Sequence, residues 1–596
     1  MQDAATVLDV IGKRGARGLP VERLYRQMFN PQLYLMAYGK LYSNAGAMTP
    51  GVTGETVDGM SLAKIGAIIG ALRAERYRWR PVKRVYIPKK NGKRRPLGLP
   101  TWSDKLVAEV VRLLLEAYYE PQFSGHSHGF RPARGCCHTA LSEVVETWKG
   151  THWFIEGDIS DCFGSLDHEI MAGILAEKIH DGRFLRLIRH MLKAGYLEEW
   201  RWHATLSGSP QGGIASPVLS NVYLDRLDQY VEQRLLPEYN LGGRRRPNPA
   251  YQAVEYAIAR ARRHGDRAEV RRLILRRRQL PSQDPADPSY RRLRYVRYAD
   301  DWLLGLAGPR REAEEIKSKV AGFLRDELKL ELSQSKTLIT HATSQAARFL
   351  GYEIRAQHSD TKITRNRRAV NGAIGLFVPR TVIRQRCALY MSKGRPAQRG
   401  SLLHDDDFTI VAKYQAEYAG LVQYYLLAQD VFRLGHLHWV METSLLKTLA
   451  GKHRSTVNSM ARKYKAVTET PAGPRKCLQV TVERDRGRKP LIARFGGIPL
   501  TRARTAVLTD QRPVMASARR NELIHRLLAG RCEICEDTVN LEVHHVRKLA
   551  DLSKPGRREK PAWMHLMAMR RRKTLVTCRR CHEDIHAGRA TRPYPT

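Results

Sequence analysis

Two adjacent aspartates, Asp300 and Asp301, interrupt a strand-like run in the segment YVRYADDWLLG. Two carboxylates about 4 Å apart repel each other by about 4 kcal/mol at an effective dielectric constant of about 20, so a half-buried pair requires a compensating cation. The strand-forming residues on both sides indicate a β-hairpin with the acidic residues at its turn. The pattern therefore predicts a divalent-metal site, and a solvated, aspartate-rich turn is the alternative.

A third acidic residue, Asp158, ends the strand-like segment WFIEGD. If that strand packs beside the hairpin, Asp158, Asp300 and Asp301 converge on a pair of divalent ions. Mg²⁺ takes oxygen ligands from one or two carboxylates, from water and from substrate phosphates. Two such ions stabilise the attacking and leaving oxygens of an in-line displacement. The acidic set therefore predicts phosphoryl-transfer chemistry that uses two Mg²⁺ ions.

A second set of chemically active residues lies in the segments RCEIC, EVHHV and CRRCHEDIH. Two Cys-x-x-Cys pairs supply four thiolates: Cys532, Cys535, Cys578 and Cys581. This spacing predicts a closed, tetrahedral Zn²⁺ site with a structural role, and unpaired thiols are the alternative. His582 and His586 are four residues apart and so share one helical face, while His544 and His545 follow the strand-like segment LEV.

The composition indicates a partner with many negative charges. The 596 residues include 102 Lys and Arg but only 59 Asp and Glu, which gives a formal net charge of +43. Such a surplus on foldable segments is typical of nucleic-acid binding. A membrane partner is not expected, since the sequence lacks an apolar run of about 18 residues, a lipidation signal and the apolar stretch of a signal peptide. We expect a cytoplasmic protein that associates with the nucleoid through DNA.

The segments that must position these residues differ in pattern. The segment VYIPKKNGKRRPLGLP predicts two strands joined at the Asn91-Gly92 turn. Apolar residues at helical spacing predict a core-facing helix from Lys105 to Tyr119. Residues 370 to about 465 are predicted to be all helical, and the Pro-, Gly- and Arg-rich residues 471–520 to form a poorly packed linker or a small basic domain.

Seven motifs in a fixed order carry a family resemblance. They are RVYIPKKNGKRRPLGLPT, SHGFRP, EGDISDCF, SPQGGIASPVLSNVYLD, YVRYADD, LELSQSKT and FLGYEI. Their order and spacing resemble the reverse transcriptases encoded within group II introns, and the resemblance covers essentially the whole chain. It implies an α+β multidomain fold with right-hand polymerase fingers and palm, an all-helical thumb (the maturase region) and a small zinc-bound ββα HNH module.

The resemblance also implies domain boundaries. These are an N-terminal extension at 1–75, reverse transcriptase fingers and palm at 76–368, a helical thumb or maturase domain at 369–470, a basic DNA-binding linker region at 471–530 and an HNH endonuclease domain at 531–596.

For the polymerase, the resemblance implies RNA-templated DNA synthesis with Asp158, Asp300 and Asp301 as Mg²⁺ ligands. It places Phe163 beneath the sugar of the incoming nucleotide, where the ring would clash with a 2′-hydroxyl group. Plain core packing is the alternative for Phe163.

Further substrate contacts are expected around these residues. Lys93 and Arg95 are candidates to hold triphosphate oxygens, and a solvated basic loop is their alternative. Gln211, Gly212 and Gly213 would let the backbone approach the primer and template closely, because glycine lacks the side chain that would block this approach. Lys336 is a candidate contact to the primer or to a phosphate.

For the C-terminal module, the resemblance implies an HNH nuclease. His545 would be the general base, and His544, His582 and His586 would bind a single divalent ion, expected to be Mg²⁺. The family's central Asn, which orients the base, falls in RRRKTLVTC and is replaced by Lys573 or another basic residue. A zinc knuckle that only binds DNA is the alternative.

The family's activity implies the partners. The protein would bind its own group II intron RNA and help it fold and splice. The RNA would then reverse-splice into one strand of a target DNA, the nuclease would cut the other strand, and the polymerase would copy the RNA with deoxynucleoside triphosphates. The alternatives are a maturase with idle catalytic sites, which intact Asp158 and His545 argue against, and a retron or CRISPR-associated reverse transcriptase.

Overall fold

The computed structural model describes most of the chain. The described residues are 3–44, 46–88, 92, 94–131, 135–198, 201–203, 213–359, 361–362, 370–483, 489–508, 521–549, 552, 561–570 and 572–591.

The first part of the chain is helical. Its helices are α1 (Ala4–Ala16), α2 (Leu24–Gln27), α3 (Pro31–Leu41) and α4 (Leu62–Arg73). Helix α3 begins after Asn30, whose side chain accepts a hydrogen bond from the backbone N–H of Gln32, and it has Pro31 in its first turn. The loop between α3 and α4 is important below because it contacts the C-terminal module.

A four-stranded antiparallel sheet forms the centre of the next region. Its strands are β3 (Trp153–Asp158), β6 (Arg292–Tyr298), β7 (Asp301–Ala307) and β8 (Leu338–His341), in the order β6-β7-β3-β8. Strands β6 and β7 form the hairpin that the sequence predicts, and Ala299 in its turn has a positive φ of 56°. The register pairs Asp158 directly with Asp301.

Helices cover this sheet, and a second sheet adjoins it. The helices are α5 (Trp102–Tyr119), α6 (Cys137–Thr147), α7 (Cys162–Ser165), α8 (His168–Ala176), α9 (Gly182–Leu192), α10 (Ser216–Tyr230), α11 (Leu236–Tyr239) and α14 (Arg310–Leu328). A π-helical segment, Val231–Leu235, joins α10 to α11. Helix α14 buries a stripe at helical spacing, formed by Ala313, Ile316, Val320, Leu324 and Leu328. The second sheet has the order β2-β1-β4-β5, from β1 (Val82–Pro88), β2 (Arg94–Leu99), β4 (Tyr196–Glu198) and β5 (Arg201–His203).

The basic segment between α11 and β6 folds as a helical hairpin. Helices α12 (Pro249–Arg263) and α13 (Arg267–Gln279) pack through a small core of Val254, Ile258, Ala261 and Leu273. Most of the arginines in this hairpin are therefore left on its surface.

Residues 370–465 are not all helical, which corrects the sequence-based prediction. Their helices are α15 (Arg380–Ala388), α16 (Asp407–Tyr424), α17 (Leu434–Lys452) and α18 (Val457–Tyr464), with 3-10 turns at Gly400–Leu402 and Val431–Arg433. The strand β11 (Ile374–Phe377) joins β9 (Ala347–Phe349) and β10 (Tyr352–Ala356) in one sheet, and β12 (Met391–Ser392) pairs with β13 (Arg395–Pro396). Strands this short carry too few residues for a period-two pattern to be recognised.

The stretch after α18 is packed, whereas a poorly packed linker was one of the two predictions for it. Strands β14 (Lys465–Thr468), β15 (Arg475–Val482) and β16 (Leu491–Gly496) form an antiparallel sheet. Alternate residues of this sheet, Leu478, Val480, Ala493 and Phe495, join the core formed by α16 and α17. The apolar alternation in KCLQVTV and LIARFG was hidden by the surrounding Pro, Gly and Arg residues.

The C-terminal module contains a two-stranded antiparallel sheet and a helix that follows it. Its elements are α19 (Glu522–Leu528), β17 (Leu541–His545), α20 (Ala562–Arg570), β18 (Thr574–Cys578) and α21 (Arg579–His586). Val543 and Val576 belong to the same core cluster as the N-terminal helices, so the module is docked onto the first region of the chain. Among the described helices, none combines the length and apolarity needed to cross a bilayer.

Candidate functional site

Two clusters of chemically active residues lie in the molecule, and the first is acidic. Asp158 ends β3 and Asp301 begins the neighbouring β7, while Asp300 lies in the turn before it. Because Asp158 and Asp301 are directly opposite in an antiparallel pair, their side chains share one face of the sheet. The structure thus brings together the acidic residues that the sequence analysis placed in one site.

The electrostatics of this cluster favour a bound cation. Burial and the charges of Asp300 and Asp158 raise the pKa of Asp301 to about 7. Burial, together with Asp158, also raises the pKa of Asp300, and Lys336 and Arg95 oppose that shift. Lys336 donates a hydrogen bond of 2.7 Å from Nζ to Oδ2 of Asp158. A cluster of hard oxygen donors with one ammonium group against it fits divalent ions such as Mg²⁺.

A buried ion pair that the sequence analysis missed holds the acidic hairpin. Arg297 on β6 and Asp228 on α10 are both fully buried, with Nη2 and Oδ2 2.5 Å apart. Asp228 also accepts a hydrogen bond of 2.7 Å from the Tyr295 hydroxyl group. Arg297 donates to the backbone carbonyl of Ala299, the residue before Asp300, at 2.9 Å. The guanidinium group therefore fixes the turn that presents the aspartates.

The loop SHGFRP packs directly on the same turn. A Cβ atom on Gly129 would lie 2.2 Å from the backbone nitrogen of Ala299, so only glycine permits this approach. The N–H group of His128 donates to the carbonyl of Arg297 at 2.9 Å. Phe130, which follows Gly129, makes an edge contact with Phe163, and their ring centroids are 6.3 Å apart.

Of the remaining residues predicted to contact the polymerase substrates, the structure describes Phe163, Arg95 and Gly213. Phe163 lies on α7, five residues beyond the end of β3, and is half-buried. Arg95 lies exposed on β2. The other three, Lys93, Gln211 and Gly212, lie outside the described residues.

The four cysteines of the C-terminal module converge. Their sulfur atoms all lie within 4.8 Å of one another. The Sγ atom of Cys535 is 3.6 Å from that of Cys578 and 3.5 Å from that of Cys581. A tetrahedron with Zn–S bonds of about 2.3 Å has edges of about 3.8 Å, so this spacing fits Zn²⁺. Two backbone N–H groups, of Ile534 and Cys535, also point at Cys532 Sγ.

Three of the predicted histidines form the second cluster, and an acidic residue joins them. The ligand atoms of His544, His582, His586 and Asp58 lie within 4.8 Å of one another. Nδ1 of His582 is 2.8 Å from Oε2 of Glu542, a contact that fixes the tautomer and leaves Nε2 facing the cluster. Neither ring nitrogen of His544 has a hydrogen-bond partner in the described part of the chain. Buried imidazole nitrogens without partners fit a bound divalent ion.

The fourth predicted histidine does not join this cluster. Successive residues of a strand face opposite sides, so the ring of His545 points away from His544. Its Nε2 atom lies 3.0 Å from the hydroxyl oxygen of Tyr38 on α3, and its ring also contacts Tyr42. Burial lowers the pKa of His545 to about 3. Neither Asp58 nor Tyr38 could be found from the sequence, because they lie 487 and 507 residues away from His545 in the chain.

Three models of known protein families match successive parts of the chain. A family model described as "Reverse transcriptase (RNA-dependent DNA polymerase)" matches residues 87–354. A model described as "Type II intron maturase" matches residues 380–480. A third, described as "AI2M/AI1M-like, HNH endonuclease", matches residues 532–582. These three matches define a reverse transcriptase joined to a maturase region and a nuclease domain.

Relatives of known sequence match along nearly the whole chain. The chain is 38% identical over 610 residues to "Group II intron-encoded protein LtrA" of Lactococcus lactis subsp. cremoris, which covers 98% of this chain and 99% of the relative. It is 34% identical over 605 residues to "Uncharacterized 91 kDa protein in cob intron" of Schizosaccharomyces pombe, covering 98% and 72%, respectively. It is 30% identical over 596 residues to "Putative COX1/OXI3 intron 1 protein" of Saccharomyces cerevisiae, covering 94% and 68%.

The chain belongs to the group II intron-encoded reverse transcriptase/maturase proteins with a C-terminal HNH endonuclease domain. It is an RNA-directed DNA polymerase and carries an HNH endonuclease domain, as the motifs in its sequence predict.

Proposed function

We propose that Asp158, Asp300 and Asp301 are the catalytic acids of the polymerase. The observation that carries this proposal is the convergence of their carboxylates where β3 meets the β6–β7 hairpin. Residues 76–368 would form the fingers and palm around them, and residues 369–470 the thumb. Two Mg²⁺ ions held by these oxygens would stabilise the attacking and leaving oxygens during nucleotide addition.

The side chains around the acids prepare the site for a deoxynucleoside triphosphate. Lys336 and Arg95 carry positive charge close enough to act on Asp300, and both are suited to bind phosphate oxygens of the substrate. Phe163 supports the sugar and excludes a 2′-hydroxyl group, and its contact with Phe130 keeps the ring from swinging away. Lys93, Gln211 and Gly212 keep the roles expected from the sequence.

The RNA partner is the group II intron that encodes the protein. The net charge of +43 and the helical hairpin of α12 and α13 support this assignment. Exposed arginines lie on both helices: Arg260, Arg262, Arg263, Arg267, Arg271, Arg272, Arg276 and Arg278. The aromatic ring of Tyr256 is 73% exposed on the same hairpin and is available to stack on a base. Such a surface binds structured RNA strongly and in a salt-dependent manner.

The C-terminal module cuts one strand of the target DNA. Zn²⁺ bound by the four cysteines would hold β18 and α21 together, and the histidine cluster would hold a second divalent ion that stabilises the scissile phosphate. His545 is the general base for the attacking water, which requires its Nε2 atom to leave the Tyr38 hydroxyl group. The cut strand then primes DNA synthesis at the acidic site, which explains two active sites on one chain.

The identity of the bound RNA tests this function. The protein is expressed with its native flanking gene sequence and purified at moderate salt, and the RNA that remains bound is sequenced. We expect one discrete RNA that spans the reading frame and contains a branched lariat junction. A heterogeneous RNA population would contradict the maturase and mobility roles and favour a reverse transcriptase that serves another system.

A further inference from the structure

The acidic residue in the histidine cluster comes from outside the nuclease module. Asp58 lies in the loop between α3 and α4, which we call the Asp58 loop (residues 46–61). Its Oδ2 atom is 2.7 Å from Nε2 of His586, and its Oδ1 atom is 3.2 Å from Nε2 of His582 and 3.5 Å from Nδ1 of His544. Asp58 and His586 are 528 residues apart in the sequence.

The Asp58 loop is firmly attached to the module. The N–H group of Gly59 donates to the carbonyl of Val543 at 3.0 Å, and the N–H group of Val543 donates to the carbonyl of Met60 at 2.9 Å. These two bonds form an isolated antiparallel β-bridge between Met60 and Val543, along the edge of β17 that β18 does not occupy. Met60 is fully buried, and its sulfur accepts a hydrogen bond from Trp102. Asp58 is therefore held at the histidines by the fold, rather than by a flexible surface contact.

The orientation of Asp58 is also fixed from the nuclease side. The backbone N–H group of His545 donates to Oδ1 of Asp58 at 2.7 Å. Gly59 has a positive φ of 72°, and a Cβ atom there would lie 3.6 Å from a ring carbon of His582. Glycine at this position lets the chain turn directly above the imidazole rings.

Three imidazoles and one carboxylate form a complete tetrahedral set. A catalytic site of this type keeps one position open for water or substrate, whereas a site with four protein ligands is closed. We propose that Asp58 is the fourth ligand of the ion bound by His544, His582 and His586, and that it keeps the nuclease site closed until the Asp58 loop withdraws. This inference rests on the proposed role of the three histidines as the ion site of the nuclease.

The nature of the donors also bears on the ion. Imidazole ligands suit Zn²⁺, Ni²⁺ and related transition-metal ions, whereas Mg²⁺ prefers oxygen ligands and bound water. A set with three imidazoles therefore favours a transition-metal ion over the Mg²⁺ expected from the sequence.

A second contact from the N-terminal region involves the proposed general base. Tyr38, on the helix that precedes the Asp58 loop, contacts Nε2 of His545, the proposed general base. The N-terminal region thus contacts both the ion site, through Asp58, and the base, through Tyr38, while the His586 side chain remains 55% exposed. Target DNA can engage the two only after this region moves away, so cleavage is coupled to the binding event that displaces it.

Calorimetric titration with Ni²⁺ tests the ligand role without relying on activity. The full-length protein is titrated with its cysteine site filled by Zn²⁺ and with excess Mg²⁺ to occupy the acidic site. Loss of an outer-shell partner costs about 10- to 100-fold in metal affinity, so loss of a ligand should cost at least as much. We expect both Asp58→Asn and His586→Ala to weaken Ni²⁺ binding by at least about tenfold. Asp584→Asn is the matched control, because it removes a carboxylate from α21 whose ion-pair partner among the described residues is the exposed Arg589.

The outcomes separate the inference from the proposed function. If His586→Ala loses Ni²⁺ binding but Asp58→Asn binds like the parent, the ion site exists without Asp58 and the inference is wrong. If none of these variants changes Ni²⁺ binding, the histidine cluster is not an ion site and both proposals fail.

Two measurements test whether Asp58 closes the site: proteolysis of the parent protein with and without metal, and DNA nicking by the parent and by Asp58→Asn. We expect Ni²⁺ to slow cleavage by a glutamate-specific protease after Glu55, because the bound ion holds the Asp58 loop in place. At saturating metal, Asp58→Asn should nick duplex target DNA about tenfold faster than the parent if the closed form dominates by about ten to one. Unchanged proteolysis with Ni²⁺, or slower nicking by Asp58→Asn, would overturn closure. Absence of nicking in every form would refute the nuclease role, while the titration would still decide the ligand role.

Discussion

The two active sites of this chain are built in opposite ways. The acidic site draws its ligands from neighbouring strands of one sheet, and the Lys336 side chain that contacts it is 64% exposed. The histidine site draws its ligands from β17, α21 and a loop of the N-terminal region, and His544 is only 5% exposed. Local strand register assembles the first site, whereas docking of distant regions completes the second. On the assignments proposed above, the polymerase site is ready for substrate, whereas the nuclease site must first be opened.

The largest expected effect comes from removing one acidic ligand. Asp300→Ala should reduce primer extension on an RNA template by at least about 10³-fold, because the lost charge stabilisation of the transition state amounts to several kcal/mol. Extension with purified protein and saturating deoxynucleotides measures this loss. Asp326→Asn is the control, since it removes an exposed carboxylate on α14 that pairs with the neighbouring Arg325. Extension by Asp300→Ala at the parental rate would disprove the assignment of the acids.

The next largest effect concerns the buried pair below the acidic hairpin. Asp228→Leu leaves Arg297 charged and unpaired, which should lower the free energy of unfolding by about 3–5 kcal/mol. Denaturant unfolding, followed by a signal that reports on the hairpin region, measures the change in the free energy of unfolding. The double variant Asp228→Leu with Arg297→Met should recover part of the loss, because two apolar residues replace the ion pair. A double variant no more stable than Asp228→Leu would contradict this account of the hairpin.

Discrimination against ribonucleotides should depend on Phe163. Phe163→Val opens space beneath the sugar, and we expect ribonucleotide incorporation to rise about 10- to 100-fold relative to deoxynucleotides, the range for a change of about 1–3 kcal/mol in a binding pocket. Competition between the two substrates in single-nucleotide extension measures the ratio. Phe163→Tyr keeps the ring and is the matched control. An unchanged ratio in Phe163→Val would indicate that Phe163 is a packing residue.

The smallest expected effect is a pH dependence of the acidic site. The pKa of Asp301 is raised to about 7, so its carboxylate is increasingly protonated below that pH. The affinity for Mg²⁺ should fall by up to about tenfold per pH unit below about pH 7. In the metal-free protein, the native state binds more protons than the unfolded state between about pH 4 and 7, so this group's contribution to stability falls as pH rises through that window. A Mg²⁺ affinity independent of pH from 5 to 7, a range of about two units, would contradict this assignment.

The same contrast explains what the sequence could and could not predict. Asp300 and Asp301 stand out because like charges between strand residues have few structural explanations, and the cysteine pairs stand out by their spacing. The contacts of Asp58 and Tyr38 with the module are not encoded in any local pattern, since they depend on how two distant regions pack. Arg297 was overlooked because a single charge in a strand resembles an exposed position until its partner on α10 is known.

The same division between local pattern and tertiary contact holds for the secondary structure. Long amphipathic helices such as α5 and α14 follow directly from the spacing of apolar residues. The strands of two to four residues in β11, β12 and β13 are fixed by tertiary pairing, and their own sequences carry too little signal.

The most direct test of the account measures both activities on the same preparations of the parent, Asp300→Ala and His545→Ala proteins. We predict that Asp300→Ala loses primer extension and retains DNA nicking, whereas His545→Ala loses nicking and retains extension. Loss of both activities in either variant would contradict two separately built sites. Nicking by His545→Ala as fast as by the parent would contradict the assignment of the nuclease base.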